Sequence, residues 1–170
     1  MKFVDFSQVL QQLEQTNSRL EMTEQLALLY QDLDQEEIQI TTYLMQGRLV
    51  PEYQSLEFNL STKLIQRALA QLMSRHQDQL EVDAAQQTDL FGAEDLSQLL
   101  TLVKKEYKKL GDLGQTAEKI SQDLALEQND KDGLTILDVF HKLEAIAHFE
   151  GEGSQDKKVL ALVKLWEELD

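Results

Sequence analysis

Residues 104–119 read K-K-E-Y-K-K-L-G-D-L-G-Q-T-A-E-K. Leu96, Leu99, Leu100 and Val103 lead into this stretch at the three- and four-residue spacing of a helix that buries one face. Lysines close the helix, where cations complement the negative end of the helix dipole. Gly111 is a stop signal just past that end. Gly111 and Gly114 bracket Asp112 and Leu113, and Ala117, Ile120, Leu124 and Leu126 predict a second helix directly after the turn. A helix that begins there turns free backbone N–H groups toward solvent, which suits an anion. Glycine also lets the backbone come close to a ligand, because no Cβ intervenes. Taken alone, the turn reads as a helix–turn–helix corner with solvated lysines. Two further stretches of similar design argue for an anion-binding role.

The first is Thr16-Asn17-Ser18-Arg19. Three small polar residues can each cap a helix, and a guanidinium follows at once. The same string also reads as a capped helix with Arg19 paired to Glu21 or Glu24. The second is Gly151-Glu152-Gly153-Ser154-Gln155-Asp156-Lys157-Lys158. Ser154 is expected to cap the last helix, and Lys157 and Lys158 fall in its first turns, against the dipole. Cations placed there make sense if an anion docks beside them. Exposed lysines that merely tolerate a small dipole cost are the alternative.

The remaining chain predicts helices throughout. Phe3, Phe6, Val9, Leu10 and Leu13 share one helix face, and Leu20, Leu26, Leu29 and Tyr30 form the next. Asp34 and Glu37 have the spacing of a capping box, opening a helix that Gly47 stops. Pro51 predicts an extended segment over 48–51. Asn59 or Ser61 starts a helix through Leu72, and residues 75–89 read as a long loop or frayed connection. Asn129 to Gly133 reads as a turn, and Thr135 caps a helix through Phe149 that ends in residues 150–153. The expected fold is all-α, an irregular multi-helix bundle of about seven or eight helices.

The 170 residues carry 16 basic and 31 acidic side chains, a net charge of -15. That balance argues against nucleic acid, whose phosphates are bound by Lys and Arg. The charge is uneven, however. Lys104, Lys105, Lys108, Lys109 and Lys119 outnumber Glu106, Asp112 and Glu118 in the stretch that opens this section. Salt screens fields beyond ~10 Å, so a basic island can act on an acidic body. Cysteine is absent, which excludes disulfides, thiolate zinc sites and cysteine nucleophiles. No eighteen-residue apolar run and no secretion signal is present, so no membrane partner is expected.

The three sites, in this order, resemble those of the N-terminal DNA-binding domain of ATP-dependent DNA ligases of the archaeal and eukaryotic type. The likeness rests on four stretches: residues 6–23 with L-E-Q-T-N-S-R-L-E-M-T, residues 36–53 with Y-L-M-Q-G-R-L-V-P-E-Y, Y-K-K-L-G-D-L-G at 107–114, and L-T-I-L-D-V-F-H-K-L-E-A-I-A at 134–147 followed by G-E-G-S-Q-D-K-K. The resemblance implies a helical module, residues 1–170, that grips nicked duplex DNA through its phosphates without reading base sequence. Carried onto matching positions, it implies phosphate contacts at Ser18, Arg19, Lys108, Lys109, Gly111, Gly114, Gly151, Gly153, Ser154 and Lys157. It also implies a parent ligase that uses ATP and Mg, a possible sliding-clamp partner, and a cytoplasmic, nucleoid-associated or nuclear setting. The family's domain continues with a further basic stretch that this sequence does not contain. Its catalytic lysine sits in K-x-D-G-x-R, and the nearest string here, Lys131-Asp132-Gly133-Leu134-Thr135, lacks the spacer and the arginine. A DNA-holding fragment without a catalytic residue or cofactor of its own is therefore expected.

Other chemistries fit poorly. A calcium loop through Gly133 would put Gln128 first and Val139 twelfth, where acids are needed. His76, His141 and His148 form no evident metal set. The rival reading is an acidic helical protein-interaction scaffold with no nucleic-acid role, which explains the net charge better and the three helix-end sites less well.

Overall fold

Four helices in this chain start where the short oxygen-bearing side chain of the cap residue turns back onto its own backbone. Ser18, Asp34, Asp112 and Thr135 each accept a first-turn N–H, satisfying donors that a helix leaves open at its start. The computed structural model describes residues 1–82, 92–124 and 133–169. Among them run eight helices: α1 (Phe3–Gln15), α2 (Arg19–Gln31), α3 (Gln35–Met45), α4 (Thr62–Val82), α5 (Gly92–Leu110), α6 (Leu113–Asp123), α7 (Ile136–Ala147) and α8 (Ser154–Leu169). No strand forms among the described residues. None of their helices is long and apolar enough to cross a membrane.

The chain divides into two compact units. One holds α1, α2, α3 and α7. Its core is Phe6, Leu29, Leu33, Ile40, Leu49, Ile136, Phe140 and Ala147. A short antiparallel bridge between Lys2 and Thr135 ties the chain start to the start of α7, through Phe3 N to Leu134 O at 2.8 Å and Ile136 N to Met1 O at 3.1 Å. The predicted box on α3 is present: Asp34 accepts from Glu36 and Glu37 amides at 2.9 Å, and Glu37 returns to the Asp34 amide at 3.2 Å. Glu37 is buried and also pairs with the Met1 amino group. At the other end of α3, the Gly47 amide donates to Leu44 O and the Arg48 amide to Tyr43 O, both at 2.9 Å. That pair of bonds is the left-handed glycine stop. The chain then bends at Leu49 and Val50 and buries Leu49 in the core, where an extended run was expected.

The other unit holds α4, α5, α6 and α8 up to Glu168. Leu69, Ala70, Leu99, Val103 and Ile120 form its core, with Trp166 packed against it. Two ion pairs join α4 to α8, Arg67 to Asp156 at 2.7 Å and Arg75 to Glu167 at 3.0 Å. Ser61, not Asn59, starts α4, accepting through its carbonyl from Leu64 at 2.9 Å and Ile65 at 3.1 Å. α4 runs to Val82, so 75–82 is helix and not loop; Arg75 in this stretch has a partner on α8 that local periodicity does not reveal. Residues 83–89, Leu126 and the turn at 129–132 lie outside the described residues.

Thr135 opens α7 with a second box, which the sequence reading had as a cap alone. Asp138 donates its amide to Thr135 Oγ1 at 3.1 Å and accepts from the Thr135 amide at 2.9 Å and hydroxyl at 2.5 Å. These bonds, the side-chain one first, hold the Asp138 carboxyl below its usual value. A lowered folded pKa contributes stability that is complete above the unfolded value and is lost as pH falls through the folded one. Thr135→Ala should therefore cost ~1 kcal/mol at neutral pH in urea unfolding. The gap between variant and wild type should narrow as pH falls below the ordinary Asp value of 3.8.

Candidate nucleic-acid interface

The α1–α2 turn belongs to the first unit. Ser18 is the cap, and its hydroxyl accepts from the Glu21 amide at 3.4 Å. The Thr16 hydroxyl accepts the Ser18 amide at 3.1 Å and donates to the Glu21 carboxylate. Glu21 is thus turned toward Thr16. Arg19, the first helical residue, is exposed, and among the described residues its guanidinium forms no ion pair. The pairing with Glu21 or Glu24 that the sequence allowed does not form. A neutral hydroxyl cap, first-turn N–H groups and a free cation stand together.

The α5–α6 corner is in the second unit. The Gly111 amide donates to Tyr107 O at 2.8 Å, closing α5, and Gly111 takes φ +75, a left-handed conformation costly to residues with a Cβ. Asp112 caps α6, its Oδ1 accepting from the Gln115 amide at 2.8 Å. The carboxylate therefore occupies the helix end where an external anion was expected to meet free N–H groups. Gly114 has an internal reason to lack a side chain: a Cβ there would lie 3.1 Å from Asp112 Oδ1. The lysines of the corner divide into two sets. Lys104, Lys105 and Lys108 are exposed and form no ion pair among the described residues. Lys109 meets Glu106 at 2.5 Å, and Lys119 meets the same carboxylate at 3.1 Å. The Lys109 and Lys119 hydrogen bonds push Glu106 below the usual carboxylate range, and Glu106 pushes Lys119 up.

The turn before α8 carries two left-handed glycines, Gly151 at φ +81 and Gly153 at φ +74. The Lys157 amide donates to Gly153 O at 3.2 Å, so Gly153 is the cap and Ser154 the first helical residue. The expectation of a serine cap is corrected by one position, since the left-handed Gly153 lets the chain enter the helix there. Asp156, the acid of this first turn, is held by Arg67. Lys157 is exposed and forms no ion pair among the described residues; Lys158 is buried and faces away from such a role.

The structure thus gathers Lys108, Lys109, Gly111 and Gly114 at one corner, Gly151, Gly153, Ser154 and Lys157 at a second, and Ser18 and Arg19 at a third. The sequence reading missed the partners that take up nearby acids: Thr16 for Glu21, Lys109 and Lys119 for Glu106, and Arg67 for Asp156. Spacing along α5 could have suggested Lys109. Nothing local pointed to Arg67, which lies on a different helix.

Comparison with known proteins places these corners in context. The family model described as DNA ligase N terminus matches residues 2–170. A probable DNA ligase of Dictyoglomus turgidum is 36% identical over 165 residues, covering 97% of this chain and 23% of the relative. DNA ligase 2 of Thermofilum pendens is 35% identical over 162 residues, covering 91% of this chain and 23% of the relative. A DNA ligase of Methanothermobacter thermautotrophicus is 27% identical over 163 residues, covering 96% and 25%. The chain spans about a quarter of the length of the curated relatives it matches.

The corner at Gly111 makes a direct prediction. Gly111→Ala meets no atom within 4 Å but must hold φ +75. It should destabilise by ~1–2 kcal/mol, read as a lower urea midpoint.

Proposed function

We infer that this chain, which belongs to the DNA ligase N-terminus family, holds nicked duplex DNA by its backbone phosphates as one module of a longer ATP-dependent ligase. One observation carries the reading. Arg19, Lys108 and Lys157 are exposed beside helix ends and without ion-pair partners among the described residues, while Glu21, Glu106 and Asp156 are each engaged elsewhere. Cations whose neighbouring acids are engaged elsewhere can meet phosphate without first breaking an ion pair. Such contacts position a duplex and carry no base sequence, as joining any nick requires.

The three corners contribute differently in this reading. At Ser18 and Gly153 the caps are uncharged, so first-turn amides and a nearby cation act together on a phosphate oxygen. At Asp112 the cap is anionic, so Lys108 and its neighbours on α5 supply the attraction. Sealing belongs to other domains of the same ligase, which would provide the lysine that takes AMP from ATP with Mg. In this reading the assembled enzyme serves DNA replication, repair and recombination, with a sliding clamp as a further partner. The net charge of -15 opposes indiscriminate adhesion to DNA and confines attraction to the basic corners.

The test is a fluorescence titration of a labelled nicked duplex over a salt series. Wild type should bind with an affinity that falls as salt rises, alike for unrelated base sequences. Arg19→Ala, Lys108→Ala and Lys157→Ala should each weaken binding and lower the log–log salt slope by about 0.9 per lost phosphate contact. A flat titration at low salt, or slopes unchanged in all three variants, would overturn the reading and favour an acidic protein-interaction scaffold.

A further inference from the structure

Glu106 holds two lysines at once. Its Oε1 accepts from Lys109 Nζ on the same helix at 2.5 Å, and its Oε2 accepts from Lys119 Nζ on α6 at 3.1 Å. The carboxylate side chain is 21% exposed, against 55% for Lys109 and 44% for Lys119. Both lysine side chains are therefore more open to solvent than the carboxylate they share. A phosphodiester resembles a carboxylate in the respect that matters here: one negative charge is spread over two terminal oxygens on a single centre. Ammonium groups arranged to meet one can meet the other, and the flexible four-carbon stem of lysine lets them swing to it. Exposed ion pairs contribute little stability, so an incoming anion displaces this one at low cost. Release of counterions from DNA drives the exchange.

We propose that Lys109 and Lys119 form a phosphate-exchange site in which Glu106 is the resident counter-ion and a DNA phosphate takes its place. The inference rests on the phosphate-binding reading above and adds Lys119 as a contact. Glu106 keeps both cations poised across the α5–α6 corner, masked from stray anions, until a duplex arrives. Asp123, whose charge also acts on Lys119, adds to the masking.

The experiment is the same salt-series titration with the 170-residue chain. Glu106→Gln removes the competitor and should tighten binding about two- to fivefold at fixed salt, with the log–log slope unchanged. Glu118→Gln, an equal charge change on α6 at a carboxylate that bridges no lysine among the described residues, should gain less. Lys119→Gln should weaken binding and lower the slope by about 0.9, whereas Lys119→Arg should keep the slope. In the Glu106→Gln, Lys119→Gln double variant the gain should shrink, because the two residues are coupled. Weaker or unchanged binding by Glu106→Gln, an equal gain from Glu118→Gln, or an unchanged slope in Lys119→Gln would overturn the exchange site. If Arg19→Ala and Lys157→Ala still lower the slope, only this inference falls. If neither does, the phosphate-binding reading falls with it.

Discussion

Local charge allotment is the constraint on which the site depends. A chain with 31 acids and 16 bases carries nearly two acids for every cation. Two unit charges 4 Å apart interact by ~1 kcal/mol in water and several times that near a protein surface. A cation already paired at that distance must exchange its partner before it meets a phosphate. The turns of this chain meet the difficulty by giving nearby acids other partners. Thr16 takes Glu21, Arg67 takes Asp156, and two lysines share Glu106. Among the described residues, the exposed cations left without an ion pair include Arg19, Lys108 and Lys157 beside helix ends and Lys104 and Lys105 within α5.

Helix-end chemistry then separates corners that look alike in one-letter code. Hydroxyl and glycine caps satisfy geometry and leave the positive end of the helix for a ligand. An aspartate cap satisfies geometry and consumes that end itself. Ser18 and Gly153 are of the first kind and Asp112 of the second. Gly114 follows from this, since a side chain there would press on the cap carboxylate. Its steric role is internal to the turn.

The first unit is assembled from distant parts of the chain. Residues 134–147 return to pack with α1 and α3 after a long excursion, and the Lys2–Thr135 bridge closes the join. Hydrogen bonding at the mouth of α7 thus serves twice. The Thr135 side chain caps the helix, while the backbone around it pairs with the N-terminal residues. Burial of Glu37 at the head of α3 is tolerated because its carboxylate has the Asp34 amide and the Met1 amino group as partners.

Periodicity, caps and glycine stops were enough to establish an all-α chain, the starts of α2, α3 and α7, and the residues at each basic corner. These are local properties, carried by hydrogen bonds and torsions within four or five residues. The tertiary structure alone decided which cations stay free, which helix supplies a partner for Asp156, and how far α4 extends past Leu72. It also decided that the chain forms two units and that Lys158 is buried where Lys157 is not. Those outcomes depend on side chains meeting across helices that are remote in sequence, and spacing along a single strand of letters holds no information about such meetings.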